Sequence, residues 1–432
     1  MRVTKLHPVP EVASDCPHCR EALQVGGWHI PGMRNLADLR CQVCNREFYG
    51  DLAAGQALYT PMLIEKMSGI VHDNHGVAWF ADWLRDSYAE RTDHPVSFKV
   101  EERLPITRPV VLLNCLDTLY GHSLLKLLNA QYYLEREVDL VLIIPSFLAW
   151  MIPDGVAQVW TVGLPLGRGT EWNDWLAHEI HRRVATFEAA GLSLALSHPK
   201  PGDYCIERFT RVKPFPLEEW EERLQRPTVT FIWRDDRVWT VSDERLIGRV
   251  RKKFRRWEGQ RRDSLAAQRG LIVALAEALR SEWPRLDFAI AGLSEVANDL
   301  GLPTWIEDLR RPTMDDEHER QYCQRYASSH VVIGVHGSNM LLPTAHAGSL
   351  VELIGPERWA NFTQDVLFRE TGDCRETLFR YRFLPASTRP LELARLVSLL
   401  LRKREAFLSL MNPTNTKRYK FEPDPVKKRE TE

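Results

Sequence analysis

The sequence predicts an α/β protein in which a small cysteine-bearing module precedes two tandem halves, each built on a doubly wound parallel sheet. Three observations predict this. Short apolar runs alternate with segments of helical period, in two successive series. The runs lack polar alternation, as expected of strands covered on both faces by crossover helices. Four of the eight cysteines fall between positions 16 and 44, ahead of either series. At roughly 100–200 residues per domain, 432 residues accommodate three unequal units with sizeable cores.

The first unit, residues 1–55, rests on Cys16-Pro-His-Cys19 and Cys41-Gln-Val-Cys44, two C-x-x-C knuckles with 21 residues between them. Each knuckle places two thiolates on one tight turn, and a short hairpin joining the turns closes a tetrahedral four-sulfur site, the pattern of a zinc ribbon. Such a site has no open position, so Cys16, Cys19, Cys41 and Cys44 are expected to hold a structural zinc that supplies folding free energy. His18, Arg20, His29, Arg34, Arg40 and Arg46 give the module a mildly basic face, open to a partner, an acceptor or nucleic acid.

Residues 56–107 read as a helical connector, with Leu63, Ile64, Met67, Ile70 and Val71 at three- and four-residue spacing. Residues 108–226 form the first α/β half. Its predicted strands are 110–115, 139–145, 159–162 and 192–196, with helices over 123–135 and about 172–190. Residues 227–388 form the second half, with predicted strands at 228–233, 287–291, 330–335 and 349–354 and helices over 264–283 and 315–327. A leucine-rich helix at 389–412 can pack back across the domain junction, and the charged residues 413–432 are expected to be disordered.

Composition narrows the function. Fifty-seven Lys and Arg against 58 Asp and Glu leave a net charge of -1, which removes any whole-chain electrostatic case for nucleic acid or an anionic membrane. No run approaches the roughly 18 apolar residues of a membrane span, and Met1 to Ala13 has no apolar core of a secretion signal, so a cytoplasmic protein is expected. Cys115, Cys205, Cys323 and Cys374 stand singly and read as buried small hydrophobes. Local charge remains: Arg249 to Arg262 is strongly basic with Phe254 and Trp257 interleaved, either a solvated helix face or a phosphate grip.

Ligands of open α/β sheets bind beyond the carboxyl ends of the strands, so the loops after strands carry the candidate chemistry. After the strand ending at Val335 come His336, Gly337, Ser338 and Asn339. Gly337 permits close backbone approach to a diphosphate, with His336 and Asn339 adding side-chain donors. Glu352, on the next predicted strand, is a candidate for ribose hydroxyls. In the first half, the loop Asn114 to His122 offers Asp117 and His122. A transfer to a hydroxyl needs a base near neutral pH, and a histidine at a helix start stays neutral and able to accept a proton. The plainer alternative is that His122 and Ser123 cap that helix.

The segment Ser329-His-Val-Val-Ile-Gly-Val-His-Gly-Ser-Asn-Met-Leu-Leu-Pro343, followed by Gly348-Ser-Leu-Val-Glu-Leu-Ile354, resembles the signature near the C-terminus of glycosyltransferase family 61. That signature runs His-Gly-Ala-Gly-Leu-x-Asn, then Pro and a strand ending Val-x-Glu-Leu. Here Ser338 stands at the Ala position, Asn339 at the second Gly and Leu342 at the Asn. Trp233-Arg234-Asp235 is similar to the family's strand-Arg element, and Tyr120-Gly-His122 to its Tyr-x-His element. The resemblance touches residues 110 to 370. It implies a GT-B glycosyltransferase with two Rossmann-like domains, the donor nucleotide diphosphate sugar held mainly by the second and the acceptor approached from the first. Arg234 would then neutralise the leaving diphosphate without a metal. His336, Gly337, Ser338 and Asn339 would meet the diphosphate and Glu352 the ribose.

The expected function is an inverting, metal-independent sugar transfer to a hydroxyl of a polysaccharide, lipid-linked or protein acceptor. The alternative from another class is a nucleotide- or nucleic-acid-binding protein gripping phosphates with the ribbon and Arg249 to Arg262. A dehydrogenase is disfavoured, because no G-x-G-x-x-G follows an early strand.

Overall fold

The computed structural model describes residues 3–7, 9–10, 12, 14–52, 62–73, 78–194, 199–241, 258–295, 301–369, 371 and 373–411. The tail 413–432 lies outside these, and the basic run Arg249 to Arg262 lies outside the residues whose side chains are described.

Three sheets organise the chain, and the expected class, tandem Rossmann-like halves behind a small cysteine module, is the observed one. The module is an antiparallel meander of Leu23–His29, Leu36–Cys41, Glu47–Asp51, Met62–Glu65 and Val71–Asp73. The last two strands correct the helical reading of the connector. Phe48 pairs with Glu65 and Leu63 with His72, so sheet pairing overrides an apolar spacing that also fits a helix. Met67, one of the residues that suggested that helix, is 99% exposed at the intervening turn. The connector's one described helix is Ala78–Ala89.

The first α/β sheet has four parallel strands in the order Ala190–Ser193, Val110–Asn114, Asp139–Pro145, Gln158–Val162. Two antiparallel edge strands close it. Val3–Lys5 pairs with Ala190–Ser193, and Phe98–Glu102, inside the expected connector, pairs with Gln158–Val162. Side-chain alternation divides this sheet between two cores. Val111 and Leu113 join an apolar cluster shared with the second half, whereas Val110 and Leu112 join one shared with the ribbon residues Trp28, Ile30, Met33 and Leu39.

The second sheet is wholly parallel, in the order Ile306–Asp308, Asp287–Gly292, Thr228–Trp233, Val331–Val335, Ser349–Ile354, Tyr381–Pro385. By chain order within the half this is 3-2-1-4-5-6, the dinucleotide-fold order. The C-terminal helix Pro390–Met411 packs within this half, its Leu393, Val397 and Leu400 sharing a cluster with Ile272, Leu275 and Leu279 of the helix Glu258–Glu282. It also meets the linker between the halves, where Leu401 O accepts from Trp220 Nε1 at 3.2 Å. Among the single cysteines Cys115 and Cys323 are buried, but Cys205 and Cys374 are exposed, which corrects the reading of all four as core residues.

Candidate functional site

Strand order reverses at one place in each sheet, and both places carry the loops singled out from sequence. In the second sheet the reversal lies between Thr228–Trp233 and Val331–Val335, so Arg234 and the loop 336–339 emerge side by side. In the first it lies between Val110–Asn114 and Ala190–Ser193, which places Asp117 and His122 there. The two loops meet. A Cβ on Gly121 would stand 2.5 Å from Ser338 Cβ, so only glycine allows the helix Tyr120–Leu128 to rest on the opposite loop.

Between them is a cavity of about 600 Å³. The first half contributes Tyr120, Phe147 and Leu166. The second contributes Trp233 to Asp236, Glu295, Glu319, Tyr322, Ser338 and Asn339, among others. The described lining holds six carboxylates, from Asp235, Asp236, Glu295, Asp315, Asp316 and Glu319, and one guanidinium, Arg234.

Arg234 is fixed on three sides. Its Nη1 donates to Asn339 Oδ1 at 2.6 Å, and Nε and Nη2 donate to the two carboxylate oxygens of Asp236 at 2.8 and 2.5 Å. Gly337, at φ +151°, lies against this guanidinium: the backbone conformation favours glycine there, and a Cβ would lie 2.0 Å from Arg234 Nη1 and push the guanidinium aside. Arg237 Nη1 donates to the His336 carbonyl at 3.0 Å and holds the loop from behind. Arg234, Ser338 and Asn339 thus line the cavity.

His336 and Glu352 do not. Both are enclosed, and His336 Nδ1 bonds Glu352 Oε2 at 2.8 Å. Glu352, expected to meet a ribose, is fully buried against His336 and is not among the residues lining the cavity. Burial pushes the Glu352 carboxyl up to about 7 against the pull of His336, and its Oε1 has no hydrogen-bond partner among the described residues. The pair braces the loop from within the protein.

Asp117 is buried beneath His122. Lys126 Nζ lies 2.8 Å from its Oδ2, His122 Nδ1 lies 3.3 Å from its Oδ1, and the Leu119 N–H donates to Oδ1 at 3.2 Å. Burial alone would raise this carboxyl, but the Lys126 ammonium, helped by His122, outweighs it and holds the group well below the usual carboxylate range. A carboxylate so stabilised holds a proton weakly, and its place beneath the ring suits it to orient the imidazole. His122, with 32% of its side chain exposed, is the accessible member. The capping alternative fails, since the residue preceding the helix is Leu119 and no side chain caps it.

Two residues were not anticipated. Lys126 sits within Leu124-Leu-Lys-Leu-Leu128, and a lone charge in a buried apolar run is a signal that was available. Glu319, on the helix Asp316–Ser328, accepts from Tyr120 Oη across the cleft and from Trp150 Nε1 at 2.8 Å, and burial raises its carboxyl. In sequence it is one of several acids at a helix start, with nothing to mark it. Arg34, read from sequence as part of the ribbon's basic face, is instead buried, pairs with Asp51 at 3.0 Å and contributes charge at Asp117. Its loop docks on the same strand end, with Asn114 Nδ2 donating to Gly32 O at 2.9 Å and Asn35 Oδ1 at 3.1 Å.

The four knuckle sulfurs lie within 4.8 Å of one another, with Cys16 and Cys44 at 3.6 Å and Cys19 and Cys41 at 3.4 Å. A tetrahedron with Zn–S bonds of about 2.3 Å has edges near 3.8 Å, so the donor set fits zinc in size and chemistry. The Cys44 N–H points at Cys41 Sγ at 3.5 Å, which favours a thiolate there.

Two Rossmann-like sheets whose switch points face one another across a cleft make an arrangement of the GT-B type. Comparison with protein-family models finds no match, and comparison with curated proteins finds none. Among solved structures the chain is similar to the ADP-heptose LPS heptosyltransferase II of E. coli, at 13% identity and a TM-score of 0.39, covering 69% of this chain and 100% of that one. Among the described residues no helix is long and apolar enough to cross a membrane.

Proposed function

We infer that the protein is a glycosyltransferase moving a sugar from a nucleotide diphosphate to a hydroxyl acceptor with inversion. The observation that carries this reading is that two facing switch points, in contact through Gly121 and Ser338, bear a fixed guanidinium on one side and an accessible, carboxylate-backed histidine on the other. His122 takes the proton of the acceptor hydroxyl, whose oxygen bonds to the anomeric carbon as the bond from that carbon to the diphosphate oxygen breaks. Arg234 takes up the charge left on the diphosphate, the role a metal ion would otherwise fill. Zinc, held by Cys16, Cys19, Cys41 and Cys44, stabilises the ribbon and takes no part in the transfer. The acceptor is a polysaccharide, lipid-linked or protein hydroxyl.

The acid-rich cavity adds a condition. Asp236 now occupies the Arg234 fork, and its side chain is 66% exposed. A diphosphate binds by displacing it, the exposed carboxylate swinging into solvent while the fork turns to phosphate oxygens. A thermal-shift series of UDP, GDP, CMP and TDP sugars tests class and donor together. Stabilisation by one nucleotide is expected, lost in Arg234→Ala and strengthened in Asp236→Ala. Equal shifts in all three proteins would remove Arg234 from the donor site. Transfer should not be stimulated by added Mg2+ or Mn2+.

A further inference from the structure

A second group of ligand-type side chains lies outside the cleft. His18 projects from the turn of the first knuckle, Glu65 ends the strand Met62–Glu65, and His72 lies on the strand Val71–Asp73. Leu63 and Glu65 share a face of the sheet by two-residue spacing, and His72 sits opposite Leu63, so Glu65 and His72 rise from one face. Phe48 floors the group, stacked with His18 at 6.3 Å and edge-on to His72 at 6.2 Å.

One ligand atom from each residue lies within 4.8 Å of the others. His18 Nε2 and Glu65 Oε2 are 3.7 Å apart, too long for a hydrogen bond. Two ligands bound at about 2.1 Å with tetrahedral angles would stand roughly 3.4 Å apart, so a small contraction suffices. His72 Nε2 is enclosed with no hydrogen-bond partner among the described residues. Glu65, only 4% exposed, is fixed by other groups: Arg46 donates to Oε1 and Ser68 Oγ to Oε2 at 2.6 Å, the kind of outer support that orients a ligating carboxylate.

We propose that His18, Glu65 and His72 form a second metal site, distinct from the cysteine cluster, for a divalent ion of zinc type. Two imidazoles and one carboxylate suit a borderline ion and leave a fourth position open, which the 33% exposure of His18 connects to solvent. The cysteine cluster favours a neighbouring cation, because four thiolates around one dication carry two net negative charges, which Arg46 offsets in part.

The test is metal stoichiometry of the full chain, saturated with zinc and freed of excess by gel filtration. Two ions per chain are expected, falling to one in His18→Ala and in Glu65→Gln. His18 is partly exposed, so its removal leaves the core packing in place, and an unchanged far-UV spectrum checks folding in both variants. Cobalt separates the sites: the first equivalent brings thiolate charge-transfer absorption, and the second adds only ligand-field bands that are missing in His18→Ala. A single ion that brings thiolate absorption, or two ions retained in both variants, overturns the proposal. A chain that binds one cobalt without thiolate absorption, lost in His18→Ala, supports this site and removes the cysteine one.

Discussion

Each half of the protein backs a histidine with a buried carboxylate, and the two pairs are set in opposite ways. Asp117 has Lys126 at 2.8 Å as well as His122, so it stays ionised and His122 keeps a third of its surface in contact with solvent. Among the described residues Glu352 has no such cation. Its partner His336 is shut in with it, Asp365 stands 3.6 Å from the other ring nitrogen, and the carboxyl moves up to about 7. A histidine paired with a carboxylate thus stays open to solvent where a lysine anchors the acid, the arrangement we propose as the proton acceptor, and is shut in behind a loop where neither holds.

The sharpest way to break this contrast is to remove the open imidazole. His122→Ala should lower transfer by about 10²–10⁴-fold while nucleotide binding persists, because general-base catalysis contributes on that order. Transfer at the parental rate would end the assignment. Next in size, Asp117→Ala strands a buried ammonium and should cost about 3–5 kcal/mol by denaturant unfolding, whereas the paired change Asp117→Leu with Lys126→Met should restore most of it. A single-variant cost below about 1 kcal/mol would show that Lys126 reaches water. Arg234→Ala comes third, losing a charge-assisted contact of about 1.5–3 kcal/mol to the diphosphate, read as weaker nucleotide affinity.

The smallest effect sharpens the contrast through pH. Folded Glu352 holds its proton up to about 7, whereas an unfolded glutamate releases it near 4.5. The native state therefore binds more protons across that window, and this contribution to stability falls as pH rises from about 4.5 through 7. Tm should drop by a few degrees over that window, and Glu352→Gln should flatten the slope. An identical slope in the variant would assign it to other groups.

Much of this was legible in the residues. Val331–Val335 is apolar throughout and Ser349–Ile354 is fully buried with only Ser349 and Glu352 polar, which a doubly covered strand tolerates, and the loops after Val335 and Trp233 stand out because ligands of such sheets bind beyond strand ends. Legibility failed where a partner distant in sequence decides. Met62–Glu65 becomes a strand because Phe48 and its neighbours offer a sheet edge, and Val3–Lys5 pairs with residues some 190 positions away. Glu352 looked like a ribose acceptor because its enclosure is set by His336 and the loop above it. Glu319 was invisible since its partners, Tyr120 and Trp150, lie in the other half.

The edge strand Val3–Lys5 alters what the ribbon is. The chain enters the first sheet there, leaves to build the module, and returns to the same sheet only at Phe98–Glu102. The ribbon is therefore an inserted domain, closed in a loop whose two ends are both pinned in the sheet that carries Asp117 and His122. Cutting it away at residue 56 would take an edge strand with it and uncover Asn114 and the core face of Val110 and Leu112. Metal bound to the knuckles shortens the effective loop, so its binding free energy is transmitted to the sheet as reduced chain entropy, and the two are expected to unfold as one cooperative unit.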